Sequence, residues 1–192
     1  MKAKKLLLPI LSLLIAVSVC CLVCACSNQA GKYDPVYKYT TEDGKEVYDW
    51  PAGAETGMIE VDGGRVPYWL YGKDKPGTPI VCVHGGPGGN CTGFFRQVCF
   101  SEDRPFLVYN QLGSVKTEVN DEYMTPDKIK SLYTIERYAK ELDTVIKHFN
   151  FDSYILYGAS WGCMLSLEYA ARYQSPALKG IVFDGPFLDV DT

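Results

Sequence analysis

The sequence predicts an α/β protein in which a mostly parallel sheet carries helices on both faces. The apolar run 79–83 is typical of a strand buried on both faces of such a sheet. Downstream of this run, strand and helix patterns alternate, whereas the patterns upstream are those of β-hairpins. The chain has 192 residues, which is enough for one domain with a sizeable core.

Two hairpins are predicted ahead of the parallel part. Residues 36–50 alternate between polar and apolar around Asp43-Gly44, a pair that favours a tight turn. Residues 58–61 and 66–71 form the second predicted hairpin, and they are joined by a turn at Asp62-Gly63-Gly64.

Beyond residue 83, hydrophobic periodicity predicts three strands and two long helices. The strands are 106–109, 154–157 and 179–183, and the helices are 135–149 and 161–173. In the first helix the apolar residues recur at spacings of three, four and seven, and Thr134 is a suitable N-cap.

The first 25 residues are typical of an export signal, because three lysines precede an apolar stretch that runs from Leu6 to Ala25. The stretch ends in Val23-Cys24-Ala25-Cys26, which resembles the lipobox of bacterial lipoproteins, with Cys26 as the acylated residue. An uncleaved signal anchor is the alternative, since about 20 apolar residues can span a bilayer. The protein is therefore predicted to be exported and lipid-anchored on the extracytoplasmic face of the cell membrane.

Charge and cysteine usage exclude several classes of function. The formal net charge is −4, a figure that includes the three lysines of the predicted signal. The rest of the chain is therefore more acidic, which does not suit a nucleic-acid partner. The four cysteines beyond the signal and lipobox suit small buried side chains better than a disulfide framework. They are Cys82, Cys91, Cys99 and Cys163. No grouping of cysteine and histidine suggests a metal, and no cofactor is expected.

Gly158-Ala159-Ser160-Trp161-Gly162 matches G-x-S-x-G and lies between a predicted strand and a predicted helix. In that context the serine of a nucleophile elbow occupies a sharp, strained turn that exposes its hydroxyl. Glycines on both sides allow the strand and the helix to approach closely. Ser160 is therefore the candidate nucleophile, and a chance match in an ordinary turn is the alternative.

A second motif, His84-Gly85-Gly86-Pro87-Gly88-Gly89, directly follows the buried apolar run. A glycine-rich turn in this place could cradle a phosphate, but the G-x-G-x-x-G spacing and a following Lys-Ser/Thr pair are missing. In a serine hydrolase this loop supplies one oxyanion N–H group, and the residue after the nucleophile supplies the other. These donors act on charge that develops only in the transition state, so they lower the reaction barrier.

Together with the segment 109–114 (Tyr-Asn-Gln-Leu-Gly-Ser), the two motifs resemble those of the proline iminopeptidase (prolyl aminopeptidase) group of α/β hydrolases. The likeness extends from about residue 55 to about residue 185. It implies an α/β-hydrolase fold for that part of the chain. Together with the predicted signal, this divides the chain into a lipoprotein signal peptide (1–25), a tether with the N-terminal hairpin (26–54) and the N-terminal part of the hydrolase domain (55–192).

The resemblance also implies roles for individual residues. Ser160 would be the nucleophile of a serine peptidase, and Gly86 and Trp161 would give the oxyanion N–H groups. The implied substrates are peptides with a free N-terminal proline, or small amides and esters. Asn110 and Val115 depart from the aspartate and glycine that are usual in the group, although an asparagine can still hydrogen-bond the backbone of the loop.

The triad of this fold follows the order serine, acid, histidine. The cap, last strands, catalytic aspartate and catalytic histidine of the group correspond to positions beyond residue 192, so we expect an incomplete fold that ends after the sixth strand of eight. His84 is expected to orient its own loop, and His148 is expected at the surface, in the last turn of a helix. Asp184 and Asp189 are expected to be solvated loop carboxylates.

Three functions are compatible with these residues. The first is a prolyl aminopeptidase-type hydrolase that works through a Ser160 acyl-enzyme. The second is an inactive truncated product, or half of a split gene whose separate C-terminal half carries the cap, the acid and the histidine. The third is an esterase- or lipase-type hydrolase, which would use the same residues. The chain by itself is expected to show almost no turnover.

Overall fold

The computed structural model of the protein describes residues 36–186, except residues 41, 43 and 45. The predicted signal, Cys26 and Asp189 lie outside the described residues. Among the helices that are described, none is long and apolar enough to cross a membrane.

The chain divides into two compact units, residues 1–51 and 52–192. The described part of the first unit is an antiparallel hairpin of β1 (Val36–Thr40) and β2 (Glu46–Asp49). This hairpin corresponds to the one predicted over residues 36–50.

The second unit is built on a sheet of seven strands. Its strands are β3 (Glu55–Val61), β4 (Gly64–Tyr71), β5 (Ile80–Val83), β6 (Phe106–Tyr109), β7 (Glu118–Val119), β8 (Tyr154–Ala159) and β9 (Leu178–Asp184). The order across the sheet is β3-β4-β6-β5-β8-β9, and β7 pairs with β4. Strands β6, β5, β8 and β9 run parallel, whereas β3, β4 and β7 add antiparallel pairs at one side.

Strand β5 lies in the middle of the sheet, between β6 and β8, as its uninterrupted apolar sequence predicts. Val81, Cys82 and Val83 are completely buried, so both faces of the strand are covered. Cys82 lies opposite Val108 on one side and opposite Tyr157 on the other. These three residues therefore share one face of the sheet.

Helical segments cover both faces, which confirms the predicted fold class. The helices α2 (Ile135–Phe149) and α3 (Trp161–Tyr173) pack over the face that carries Val81, Val83 and Leu156. A 3₁₀ helix, Cys91–Glu102, lies against β5 and β6 on the other face. There, the ring of Phe94 lies 5.4 Å from that of Tyr157, and Phe100 lies 6.4 Å from Phe106.

The two long helices begin and end where the sequence predicts. The Thr134 side chain caps α2 by accepting a hydrogen bond from the backbone N–H of Arg137 at 3.3 Å. Asn150 and Gln174, which follow α2 and α3, adopt the left-handed conformation that ends many helices.

Other features were not predicted. Residues 121–132 form short 3₁₀ turns and the one-turn helix α1 (Pro126–Ile129), and β7 has only two residues, too few to show any periodicity. Strand β9 is the outer strand of the described sheet on its side. The side chains of Val182 and Phe183 are 49% and 41% exposed there.

Candidate active site

Ser160 lies on the sharp turn between β8 and α3, and it is exposed. Its backbone angles are φ 51° and ψ −117°, a combination that costs free energy in any residue with a side chain. Strain of this kind persists only where the surrounding structure fixes the backbone. The turn therefore has the conformation expected of a nucleophile elbow.

The glycines on both sides of Ser160 make this turn possible. A methyl group on Gly158 would lie 2.5 Å from the carbonyl oxygen of Gly162, and one on Gly162 would overlap the carbonyl oxygen of Val83. No L side chain fits at either position without a backbone shift. The absence of two side chains thus brings α3 directly against the end of β5.

The glycine-rich loop that follows β5 lies beside Ser160. Because Val83 pairs with Gly158, both segments leave the sheet at the same edge. A methyl group built on Gly85 would lie 3.7 Å from the Ser160 hydroxyl oxygen. The structure therefore brings together the serine and the loop that were selected from sequence.

Gly86 and Trp161 belong to these two segments. Gly86 has φ 135°, which favours glycine, and Trp161 is the first residue of α3. N–H groups in a first helical turn have no acceptor within their helix, so the N–H of Trp161 is available to a ligand. That both groups serve as oxyanion donors stays a prediction.

The segment Asn110–Ser114, which follows β6, holds the glycine-rich loop in place, and we name it the bracing segment. The backbone N–H of Gln111 donates to His84 Nε2 at 2.9 Å, and its side-chain Nε2 donates to the His84 carbonyl oxygen at 2.8 Å. The Ser114 hydroxyl donates to the carbonyl oxygen of Gly89. Both ends of the loop are thereby bonded to the bracing segment.

The side chain of Asn110, where the resemblance implies an aspartate, bonds two separate loops. Its Oδ1 accepts from the N–H of Cys91 at 2.9 Å, and its Nδ2 donates to the carbonyl oxygen of Val115 at 2.8 Å. An ionised aspartate could accept the first bond but could not donate the second. The asparagine therefore connects two loops and keeps Val115 in place.

A buried ion pair in α2 anchors the bracing segment. Arg137 Nη1 lies 2.7 Å from Glu141 Oε2, and the N–H of Leu112 donates to both carboxylate oxygens at 3.2 and 3.3 Å. Burial raises the pKa of Glu141, whereas Arg137 and the Leu112 N–H favour its charged form. The Tyr138 hydroxyl also donates to the Leu112 carbonyl oxygen, at 3.2 Å.

This anchor was not predicted from the sequence. Its only signal was a charged pair at i,i+4 in which Glu141 falls on the apolar face of an amphipathic helix. A buried carboxylate needs a partner, so that position could have indicated an internal ion pair.

His84 is buried, and its tautomer follows from its contacts. A backbone N–H can only donate, so Nε2 accepts from Gln111 and carries no proton. The proton is on Nδ1, which donates to the Gly85 carbonyl oxygen at 2.8 Å. Burial lowers the pKa of His84 to about 4. His84 is thus a neutral part of the loop, and neither ring nitrogen is available as a base.

His148 and Asp184, the other candidates from the sequence, belong to different elements. His148 is exposed in the last turn of α2, with its ring 5.0 Å from that of Phe149. Asp184 is the last residue of β9 rather than part of a loop, and its carbonyl oxygen accepts from the Ser160 N–H at 2.9 Å. Cys163 is buried beneath the turn, and the four described cysteines are free.

Comparison with known proteins decides the family. Residues 78–192 match the family model described as the alpha/beta hydrolase fold. The chain belongs to the α/β hydrolase fold family. The proline iminopeptidase of Heyndrickxia coagulans is 33% identical over 132 residues, which are 69% of this chain and 43% of that protein.

Solved structures agree with this assignment. The structure of VinJ is 29% identical with a TM-score of 0.59, over 67% of this chain and 43% of that one. The proline iminopeptidase of Mycobacterium smegmatis shares the fold with a TM-score of 0.55 and 20% identity, over 66% of this chain and 42% of that one. This α/β hydrolase chain therefore spans less than half the length of the relatives it matches.

The first prediction tests the elbow of this α/β hydrolase. Gly162→Ala should lower the free energy of unfolding by about 3 kcal/mol or more, because the new methyl group must displace the Val83 carbonyl. Gly180→Ala in β9 is the matched control, because no described atom lies within 4 Å of the added methyl. Its effect should stay within about 0.5 kcal/mol. Equal stability of the two variants in urea unfolding would contradict the close approach.

The second prediction concerns His84. Its imidazole should titrate with a pKa of about 4 and carry its proton on Nδ1, as measured by nitrogen NMR. His148→Asn removes the other imidazole of the chain and assigns the signal. The pKa of His84 in the folded protein lies below the ordinary value of 6.5. The stability that neutral His84 contributes is therefore complete above pH 6.5. It is lost towards pH 4 at about 1.4 kcal/mol per pH unit. A midpoint at or above 6.5 would contradict the assignment.

Proposed function

We propose that this α/β hydrolase is of the prolyl aminopeptidase type and cleaves an N-terminal proline, or a similar small residue, from peptides through a Ser160 acyl-enzyme. The observation that carries the proposal is the position of Ser160, exposed on a strained turn beside Gly85. The similarity to a proline iminopeptidase supports the choice of substrate class.

The proposed chemistry is acyl transfer. The Ser160 hydroxyl oxygen attacks the carbonyl carbon of the scissile amide, and its proton passes to a base. The N–H groups of Gly86 and Trp161 stabilise the oxyanion of the tetrahedral intermediate. Collapse of that intermediate breaks the C–N bond and releases the amine, which takes the proton. Water then hydrolyses the ester and restores the serine.

Neither histidine of the chain suits the role of base. Both ring nitrogens of His84 are engaged inside the loop. His148 lies in the last turn of α2, and residues of that turn share a cavity with Tyr154, at the opposite end of β8 from Ser160. We therefore propose that the base and its orienting acid come from sequence outside this chain, as a continuation or as a separate C-terminal half.

The third prediction tests the nucleophile. Residues 27–192 should release proline from a chromogenic prolyl amide about 10⁶-fold more slowly than a complete relative, since on this proposal the base of the triad lies outside the chain. Adding the C-terminal part of a complete relative in trans should raise turnover, and Ser160→Ala should abolish that gain. Ser131→Ala, at an exposed serine, is the control and should have no effect. Turnover within tenfold of a complete relative by the chain alone, abolished by Ser160→Ala, would contradict the missing base.

We also propose that the protein is exported and held at the membrane by a lipid on Cys26. The support is the lysine-rich start, the apolar stretch and the sequence Val23-Cys24-Ala25-Cys26. A single acyl chain binds membranes only marginally, so the diacylated cysteine of a lipoprotein would be the effective anchor.

The fourth prediction tests this anchor. Expressed in a bacterium, the protein should incorporate labelled fatty acid and partition into detergent, and Cys26→Ser should abolish both. Cys24→Ser is the matched control, because it changes a neighbouring cysteine that the lipobox does not acylate. Label that persists in Cys26→Ser, or a mature protein that retains Met1, would favour the uncleaved signal anchor instead.

A further inference from the structure

A cavity of about 330 Å³ lies at the end of β8 opposite Ser160, next to Tyr154. It is formed where the last turns of α2, the end of α3 and the loops that enter β8 and β9 meet. Asp143, Lys147 and Asn150 line it from one face of α2 and the residue that follows it, because they are spaced by four and three residues. The volume is at the lower end of the range for small-molecule sites, so it suits a ligand of few atoms.

Four aromatic residues line the cavity, and Phe151 is one of them. The rings of Tyr169 and Tyr173, one turn apart on α3, are stacked with their centroids 4.9 Å apart. The Tyr154 ring meets that of Tyr169 edge to face at 6.5 Å, and their hydroxyl oxygens are hydrogen-bonded at 2.7 Å. Burial, Tyr154 and the Asp143 carboxylate raise the pKa of Tyr169, so this ring stays neutral near neutral pH. The face of such a ring attracts cations.

The charges around the cavity also favour a cation. The side chain of Asp143 is 14% exposed, whereas that of its partner Lys147, 2.6 Å away, is 74% exposed. A lysine that is mostly in water gains little from such a pair, so a bound cation can replace it at the carboxylate. Helices α2 and α3 end beside the cavity, at Phe149 and Tyr173, and the carbonyl groups of a helix C-terminus carry a partial negative charge.

An alkylated ammonium group suits these walls better than other small ligands. An anion would be repelled by the carboxylate and by both helix ends. A neutral apolar group would take water away from Asp143 without compensation. A primary ammonium is strongly hydrated, and ring faces do not replace its hydrogen bonds to water. A quaternary ammonium has no N–H group to satisfy, and it binds well between aromatic rings.

We propose that this cavity is a binding site for a quaternary ammonium group, carried by a small free cation or by the headgroup of a choline lipid. Asp143 supplies the opposite charge, and Tyr169 and Tyr173 supply ring faces. Lys147 competes with the ligand for Asp143 and thereby weakens its binding. The site lies apart from Ser160, and the inference does not depend on the role of that residue.

Calorimetric titration of the full chain with choline tests the charge of the site. Choline should bind, and its neutral analogue, in which a carbon atom replaces the nitrogen, should bind about tenfold or more weakly. Asp143→Asn should weaken choline binding by about tenfold and leave the neutral analogue unaffected. Glu168→Gln is the matched control, because it changes the acidic member of another i,i+4 ion pair, outside the cavity. It should change neither ligand.

Lys147→Met should produce a gain, which a misfolded variant could not. It keeps an unbranched apolar side chain and removes the competing charge, so choline should bind about threefold or more tightly. Arg172→Met, which removes the cation of the control pair, should give no such gain. Tyr173→Leu should weaken choline binding about threefold or more, and Tyr173→Phe should restore it, since phenylalanine retains the aromatic face.

Glycerophosphocholine, the soluble headgroup of a choline lipid, distinguishes the two sources of the cation. Binding as tight as that of choline assigns the site to a lipid headgroup, whereas binding of choline without glycerophosphocholine assigns it to a free cation. No binding of choline, equal binding of its neutral analogue, or unchanged choline binding in Asp143→Asn would overturn the proposal.

Discussion

The close approach of α3 to the end of β5 is the constraint on which the candidate site depends. It exists because Gly158 and Gly162 have no side chains, and a single methyl group on Gly162 would overlap the Val83 carbonyl oxygen. That contact fixes where α3 begins. Ser160 is then the single residue that connects β8 to α3, and its backbone takes the strained conformation that this connection requires. The same contact sets the distance between Ser160 and the loop that follows Val83. The nucleophile and its candidate oxyanion donors are thus positioned by one backbone contact.

A flexible glycine-rich loop would not keep its N–H groups at a fixed distance from Ser160. Hydrogen bonds from buried polar groups hold the loop in one conformation. The bracing segment bonds the loop at His84 and at Gly89, and Glu141 bonds the bracing segment from α2. A buried ion pair adds little net stability, because desolvation offsets its attraction, but removing one partner is strongly destabilising. The pair of Arg137 and Glu141 is therefore better understood as a fixed point for Leu112 than as a source of stability. Order in the glycine-rich loop therefore depends on helix α2, through the bonds to Leu112.

What the sequence could predict follows from the range of the interactions. Periodicity is local, so the four parallel strands, both long helices and the Thr134 cap were predicted nearly to the residue. The elbow and the glycine-rich loop are also encoded by local motifs. Because parallel strands end at the same edge of a sheet, the proximity of these two motifs could be predicted as well. By contrast, the bonds from Gln111 to His84 and from Leu112 to Glu141 join residues 27 and 29 positions apart, which no local pattern encodes. Asp184 was predicted to be an ordinary loop carboxylate because its donor, Tyr157, belongs to a different strand.

The two sides of Ser160 differ in charge, and this difference bears on the reaction rate. On the β5 side, burial keeps His84 neutral, so the loop offers N–H dipoles without net charge. On the β9 side lies the exposed carboxylate of Asp184. An oxyanion that develops beside Ser160 lies in the field of that carboxylate, which raises the energy of the transition state. The N–H donors on the β5 side must offset this repulsion before they can lower the barrier.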